Sequence, residues 1–530
     1  MMHKIEKLLP FVQNPARYLG NEINVYIKKH FDVKVAIGYP DIYEIGMSSL
    51  GIRILYGILN EREDCYCERF FMPWVDMIDK MKREKIPLFT LETKTPLFLF
   101  DMIGISLSSE LNYTNLIEIL SLSNIPIFSY ERKDEHPIII VGGSTSFNPL
   151  PLSHFVDAFF VGEGEEDIHK IIDVIKENKK QRKKILENLN KIDSVFVPAL
   201  GIKKVKKALI RDLNTTFFPI KYIVPLTKII HDRISIEIMR GCNNNCKFCQ
   251  AGSCWKPVRI RDYKEILRIA RETYKNTGYE EISLLSFSAG DHPQIEKIIV
   301  NLVDEFKNKN VSISFPSLRI DTFSFQLALK IKEIKKTNLT FAPESSERLR
   351  MKIGKNITNE KLLNLAIQAK ENGYRHMKLY FMIGLPDETQ SDIEEVVELL
   401  NEISKIIYIN TSFNTFVPKP HTFYQGERLI TQDEYENKKV YITNKLKKNK
   451  YIKIKFHPYE SSYIECMLGR GNMELGRVIY NVWKSGNLFE NWKEFFNFNN
   501  WIESLKKEKI PFDEFIKPIN PPYHWDFIEV

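Results

Sequence analysis

Over roughly the first 165 residues, short apolar runs alternate with stretches of helical periodicity. VKVAIGYP (33–40) reads as a buried strand feeding a Gly-Tyr-Pro loop, and LGIRILYGIL (50–59) repeats apolar positions at helical spacing. CYCERFFMP (65–73) reads as the next strand and WVDMIDKMKRE (74–84) as a helix. MIGISL (102–107), a helix through NLIEILSLS (115–123), PIIIVGGS (137–144) and AFFVGEGEE (158–166) continue the series. Continuous apolar strands with helices between them predict a parallel sheet covered on both faces. Residues 1–166 are thus expected to form a doubly wound α/β domain of Rossmann or flavodoxin type.

A charged helical stretch (167–193) and a mixture of strand and turn signals (194–230) read as a connector, 167–230. A second alternating series opens at ISIEIMRGC (234–242), with strands expected at 234–239, 281–286, 311–316, 337–342, 376–382 and 409–415. Helices fall between them near 263–275, 292–308, 322–334, 358–371 and 391–402. Six βα units without eightfold closure predict a partial (β/α)6, TIM-like barrel over 231–420. Beyond it the pattern loosens into a C-terminal extension, 421–530, in which Trp483, Trp492, Trp501 and Trp525 crowd.

Composition narrows the class. A chain of 530 residues with an apolar fraction of 43% builds more than one domain with a sizeable core. Lys and Arg number 76 against 68 Asp and Glu, a net charge of +8. The basic runs KENKKQRKK (176–184) and KLKKNKYIKIK (445–455) are able to meet phosphate, although solvated helix faces account for them more simply. Lys4, Glu6 and Lys7 interrupt the start, and the runs LFLF and IIIVGG fall far short of about 20 residues, so no secretory or membrane segment is expected. Seven cysteines in such a chain fit a reducing, cytoplasmic setting in which thiolates stay available to metals.

The densest chemistry is RGCNNNCKFCQAG (240–252), which places Cys242, Cys246 and Cys249 on one loop just past the first barrel strand. Active sites of such barrels lie beyond the C-terminal strand ends. A structural zinc site wants four ligands; Cys254 and His231 are available, but the spacing matches no zinc knuckle. Three thiolates suit a four-iron cluster whose fourth iron stays open to a non-protein ligand. A zinc-stabilised, basic, nucleic-acid-binding module without catalysis is the alternative of a different class.

The pattern CxxxCxΦC, with Phe248 as the aromatic, resembles the signature of radical S-adenosylmethionine (SAM) enzymes. The resemblance implies a [4Fe-4S] cluster on Cys242, Cys246 and Cys249, and SAM bound through its amine and carboxylate to the open iron. Reductive cleavage of SAM then gives a 5′-deoxyadenosyl radical, with a one-electron reductant such as flavodoxin or ferredoxin as partner. It further implies SAM contacts from Glu344 in FAPESSERLR (341–350) and Arg319 in SLRID (317–321), and contacts to SAM or substrate from Ser286, Ser288 or Asp291 in LLSFSAGDH (284–292). KLYFMIGLPDET (378–389) resembles the fifth-strand segment of the methylthiotransferase-like subgroup, with Met382 and Ile383 against the adenine and Gly384 admitting its approach. Plain alternatives stand beside these readings: a helix cap for Glu344, an ion pair with Asp321 or Glu344 for Arg319, core packing for Met382 and Ile383. His421 reads as a structural loop histidine before a proton donor.

YPDIYEIGMSSLG (39–51), IIIVGGSTSFNPLPL (138–152) and FFVGEGEED (159–167) resemble the cobalamin-binding domain that precedes many radical SAM cores. Gly142, Gly143, Gly162 and Gly164 then become cobalamin contacts, against the simpler reading of tight αβ turns. The DxHxxG motif that would supply an axial histidine is absent; His30, His136, His154 and His169 do not sit in that pattern. Across its length the chain resembles a bacterial radical SAM family with this N-terminal domain and no established reaction, some members of which carry a further cysteine-containing domain, here expected to be either missing or encoded separately as a partner. The resemblance implies an enzyme acting on an RNA, a protein or a metabolite, with methyl transfer leading and methylthiotransferase-like sulfur insertion as alternative. Cys65, Cys67 and Cys466 read as core residues.

Overall fold

The computed structural model describes residues 1–314 and 339–530; Arg319 and the helix expected at 322–334 lie outside the described residues. Strands β1 (Val33–Tyr39), β2 (Cys65–Phe71), β3 (Met102–Ser106), β4 (Ile138–Gly142), β5 (Ala158–Phe160) and β6 (Val195–Phe196) form one sheet in the order β2-β1-β3-β4-β5-β6. All pairings are parallel except β5 with β6. The first five follow the flavodoxin order. Strand parity decides what each residue packs against. Val35, Ile37, Cys65, Cys67 and Ile140 pack under the helices Leu50–Glu61 and Asp167–Glu177, while Ala36, Phe70, Ile103 and Ile139 share the opposite core with Val75–Arg83 and Tyr113–Leu122. The doubly wound expectation for this region holds.

The tail returns to this domain: β7 (Val205–Lys206) pairs in parallel with a two-residue terminal strand, Ile528–Glu529. The barrel region begins with β8 (Ile234–Glu237). A short antiparallel pair, β9 (Met239–Arg240) and β10 (Arg259–Ile260), brackets the cysteine loop. β11 (Glu281–Leu285) and β12 (Ser312–Ser314) join β8 in a parallel sheet ordered β12-β11-β8. A second parallel sheet holds β13 (Leu339–Glu344), β14 (His376–Ile383), β15 (Tyr408–Thr415) and β16 (Ile452–Phe456) in sequence order. The partial barrel therefore stands, and the parallel array runs one strand past the six expected. IKIKF (452–456) alternates apolar and charged residues, so its strand character hid inside a basic run.

Helices close the outer side. Ile266, Ile269, Ile298 and Leu302 meet β8, β11 and β12, and several helix starts carry a cap, such as Asp262 accepting from the Lys264 amide and the Thr431–Glu434 capping box. After β16 the chain folds back across the first domain. The Trp483 indole donates to Glu118 at 2.7 Å, the Trp492 indole to Asp41 at 3.2 Å, and Asn148 donates to the Gly469 and Gly471 carbonyls. Lys419 lies between Glu110 of the first domain and Glu465 of the extension, 2.8 Å from each. Trp501 and Trp525 are fully buried, so the tail aromatics are packing residues. Among the described residues no helix is long and apolar enough to cross a membrane.

Candidate active site

Gly241 opens the cysteine loop at φ +85°, where a Cβ would stand 2.6 Å from the Trp255 carbonyl oxygen. Only glycine passes that crossing without strain. Two neighbouring segments then pin the loop. The Lys247 amide donates to the Ile353 carbonyl at 3.1 Å, and the Tyr424 amide donates to the Lys247 carbonyl at 3.1 Å. Gly354, at φ +87°, leaves room for the Asn245 carbonyl, to which a Cβ would come within 2.8 Å.

The three thiols are half-buried. The Asn244 amide donates to Cys242 Sγ and the Gly252 N–H to Cys249 Sγ, both at 3.3 Å. Donors aimed at sulfur favour its ligating, anionic form. Burial pushes the Cys249 thiol up, and the Gly252 N–H opposes it. Among the described residues no three His, Cys, Asp or Glu side chains are gathered tightly enough to hold a metal ion. The donor chemistry and the position beyond the strand ends fit an iron–sulfur cluster; the three sulfurs still have to converge around it. Cys254 is fully buried with its thiol raised to about 12 by burial, which removes it as a ready fourth ligand.

Phe248 packs with Leu349, Ile353, Leu385, Phe416, Tyr424 and Met382, so two expected cofactor residues, Phe248 and Met382, share one cluster beside the loop. Glu344 ends β13 at φ +75°, where the β13–β14 register shifts. A non-glycine residue held there is a strained position, and such strain concentrates at functional sites. Its carboxylate accepts from Lys355 Nζ at 2.5 Å, so it is an ion-pair partner and not a helix cap. Burial raises its pKa, and Lys355 pulls it back. Lys355 also faces the Phe248 ring at 5.8 Å. Gly384, at φ +86°, fits against Ile430 and donates its N–H to Glu388, which pairs with Lys438. Ser286 accepts from the Ser288 amide at 3.2 Å; Ser288 bonds Asp291, and Asp291 accepts from Asn244 of the cysteine loop at 3.1 Å. His421 meets the Phe147 carbonyl at 2.9 Å, and burial lowers its pKa, as suits a loop-bridging histidine.

The first domain turns its C-terminal strand ends toward this loop. Phe147 stands 6.1 Å from Trp255, centroid to centroid. Arg240, the residue before Gly241, meets Glu163 at 3.0 Å, Glu165 at 2.7 Å and Glu237 at 2.7 Å, while Arg259 meets Glu163 at 2.5 Å. At that edge an apolar slot of roughly 100 Å³ runs between the sheet and the helices Leu50–Glu61 and Asp167–Glu177. Gly142, Gly143, Gly162 and Gly164 all line it. Gly143 and Gly162, both at φ +108°, are demanded by their turns, since a Cβ would lie 2.4 Å from a carbonyl oxygen in each. Gly142 and Gly104 are different: their nearest neighbours would be 3.9 and 3.4 Å from a Cβ, so their bare backbones leave room in the slot. Sequence reasoning missed Gly104, although a lone glycine inside the apolar run MIGISL marks a close approach. It also missed Lys355 and the Arg240–Glu163 contact, which join segments distant in sequence.

Two family matches follow the same division. Residues 51–198 match the family described as radical SAM proteins, N-terminal, and residues 236–400 match the radical SAM superfamily. The chain belongs to the radical SAM superfamily, whose enzymes use a [4Fe-4S] cluster and SAM. It is 30% identical over 448 residues, 84% of this chain and 90% of the relative, to an uncharacterized protein of Methanocaldococcus jannaschii. An uncharacterized methyltransferase of Pyrococcus horikoshii is 26% identical over 304 residues, 54% of this chain and 62% of the relative. Among solved structures, the radical SAM methyltransferase TsrM of Kitasatospora setae, with cobalamin and a [4Fe-4S] cluster bound, shares the fold at TM-score 0.53, 12% identity and 72% of each chain. The chain is thus a radical SAM enzyme, most similar in kind to transferases, and the zinc-module alternative loses its support.

Proposed function

We propose that this enzyme is a cobalamin-dependent radical SAM methyltransferase. One observation carries the reading: a glycine-lined apolar slot in a flavodoxin-order sheet opens on the edge that Arg240, Phe147 and His421 hold against the cysteine loop. Such a slot would take an apolar part of a corrinoid, with Gly104 and Gly142 leaving the space for it. When bound, the cluster and SAM supply a carbon radical, and cobalamin supplies the methyl group.

The chain's own residues divide the remaining work. Cys242, Cys246 and Cys249 hold the cluster, with Asn244 and the Gly252 N–H polarising two of the sulfurs. Phe248 and Met382 give SAM an apolar wall, and Glu344, held in place by Lys355, offers an acceptor to ribose hydroxyls or the methionyl amine. Arg319 is assigned to the SAM carboxylate and Ser286 to the nucleoside side. Gly384 meets the demand of its own turn, since a Cβ there would lie 2.8 Å from Ile430. TsrM, which holds both cobalamin and the four-iron cluster, has the arrangement of parts this reading needs.

Sulfur insertion is the weaker reading. It needs further cluster cysteines in the first domain, and the cysteines there, Cys65 and Cys67, are fully buried in a hydrophobic core. Burial raises the Cys65 thiol to about 12. A flavodoxin or ferredoxin is the reductant expected to serve the loop.

The test is anaerobic reconstitution with iron and sulfide, then addition of SAM, dithionite and methylcobalamin. Iron bound by the wild type but not by Cys246→Ala, with SAM consumed only when iron is present, is the expected result. Stoichiometric zinc with no SAM turnover overturns it.

A further inference from the structure

Among the described residues, the sheet β13–β16 has one covered face and one bare face. Met377, Leu379, Phe381, Ile409 and Phe413 pack under the outer helices, while the alternate positions point away from that core and remain exposed or half-exposed. Strand register arranges these positions in rows across β14, β15 and β16. At one end His376, Tyr408 and Tyr451 form an aromatic row, with ring centroids 5.4 and 5.0 Å apart. Next, Lys378, Asn410 and Lys453 align, and then Tyr380, Ser412 and Lys455. Lys378 lies over the Tyr380 ring at 4.7 Å. The last row, Met382 and Asn414, reaches the Phe248 cluster beside the cysteine loop.

Three features decide what suits this face. Among the described residues Lys378, Lys453 and Lys455 enter no ion pair, so their charge is available to an anion. Tyr408 and Tyr451 are 47% and 40% exposed, offering rings to planar partners. From His376 to Met382 the face runs about 20 Å, which suits an extended chain better than a compact metabolite. An acidic peptide would answer the lysines but not the rings, and a membrane would want apolar residues where Lys378, Asn410 and Lys453 stand. Lysines interleaved with stacking rings suit unpaired nucleotides, and the exposed amides of Asn410 and Asn414 can pair with ribose 2′-hydroxyls.

We infer that the bare face of β14–β16 binds single-stranded or looped RNA and leads it to the cysteine loop. The lysines of KLKKNKYIKIK thereby gain a role that the sequence alone left to solvent. What then happens to the RNA rests on the methyl-transfer reading; the binding itself does not.

The test is fluorescence anisotropy of a short labelled single-stranded RNA with the full chain across a salt series. The variant Lys378→Gln/Lys453→Gln/Lys455→Gln should bind about a hundredfold more weakly near ~0.1 M salt, and its salt slope should fall by about 2. Tyr408→Ala/Tyr451→Ala should lose about tenfold with the slope unchanged. Lys183→Gln/Lys184→Gln, in the other basic run, should match the wild type. The altered side chains are exposed, and an unchanged thermal midpoint verifies folding; should the triple variant unfold, Lys378→Gln alone carries the same comparison. No RNA binding by the wild type, an unmoved slope, an equal loss in the control, or equal affinity for DNA of the same sequence overturns the inference. SAM turnover without RNA is measured alongside: its failure with RNA binding intact breaks the methyl-transfer reading and leaves this one standing.

Discussion

The two large parallel sheets follow one building rule and end in opposite states. In the first domain, helices cover both faces of β1–β5, and a narrow slot bared by Gly104 and Gly142 opens on the Val35 side. In β13–β16, helices cover one face and the other presents charge and rings. A sheet buried twice can hold a small apolar object inside it. A sheet buried once can meet something long and charged. The buried charges that join the regions, Arg240 and Arg259 with Glu163, hold the slot's edge against the cysteine loop.

The largest expected effect is on the loop itself. Cys246→Ala should lose bound iron and SAM turnover to background, while the slot keeps its capacity for a corrinoid, separating the two regions by chemistry. Next, Arg240→Ala leaves the buried Glu163 with one partner fewer and should cost about 3–5 kcal/mol in urea denaturation, with the first domain loosening before the barrel.

A smaller effect comes from the extension that ties the first domain down. Glu490 is 2% exposed and accepts from the Trp501 indole and the Asn487 amide. Burial pushes its carboxyl from 4.5 to about 7. The folded state then holds a proton that the unfolded state releases, so its stability is full below pH 4.5 and declines as pH rises through about 7. Denaturation at pH 5 and pH 8 should differ by about 3 kcal/mol from this group, in favour of the acid side. The mildest test is chemical labelling. In metal-free protein at pH 8, Cys65 and Cys67 should resist iodoacetamide while Cys242 is modified, as read by peptide mass. Equal labelling would remove the contrast between a core pair and an accessible loop.

Much of this was legible in the sequence because its signals are local. Short continuous apolar runs alternating with helical periodicity marked the succession of strands and helices in both regions, and the cysteine spacing located the loop without any contact information. β16 was lost because lysines occupy its exposed positions, so a half-buried strand resembled a solvated run. Glu344 was expected at a strand end as a SAM contact, yet its partner Lys355 lies eleven positions on, across a helix, and no periodicity connects them. The Glu163 contacts to Arg240 and Arg259 span two domains, and nothing short of the fold pairs them. Glycines were read as one group, but only their surroundings separate Gly143 and Gly162, which the turns require, from Gly142, which leaves space.

Retention of hydroxocobalamin through gel filtration, read by its visible absorbance, tests the slot most directly. The wild type should retain about one corrinoid per chain, and Gly104→Leu, which fills the slot without touching the cysteine loop, should retain none while still binding iron. Equal retention by both proteins, or none by either, would contradict the account.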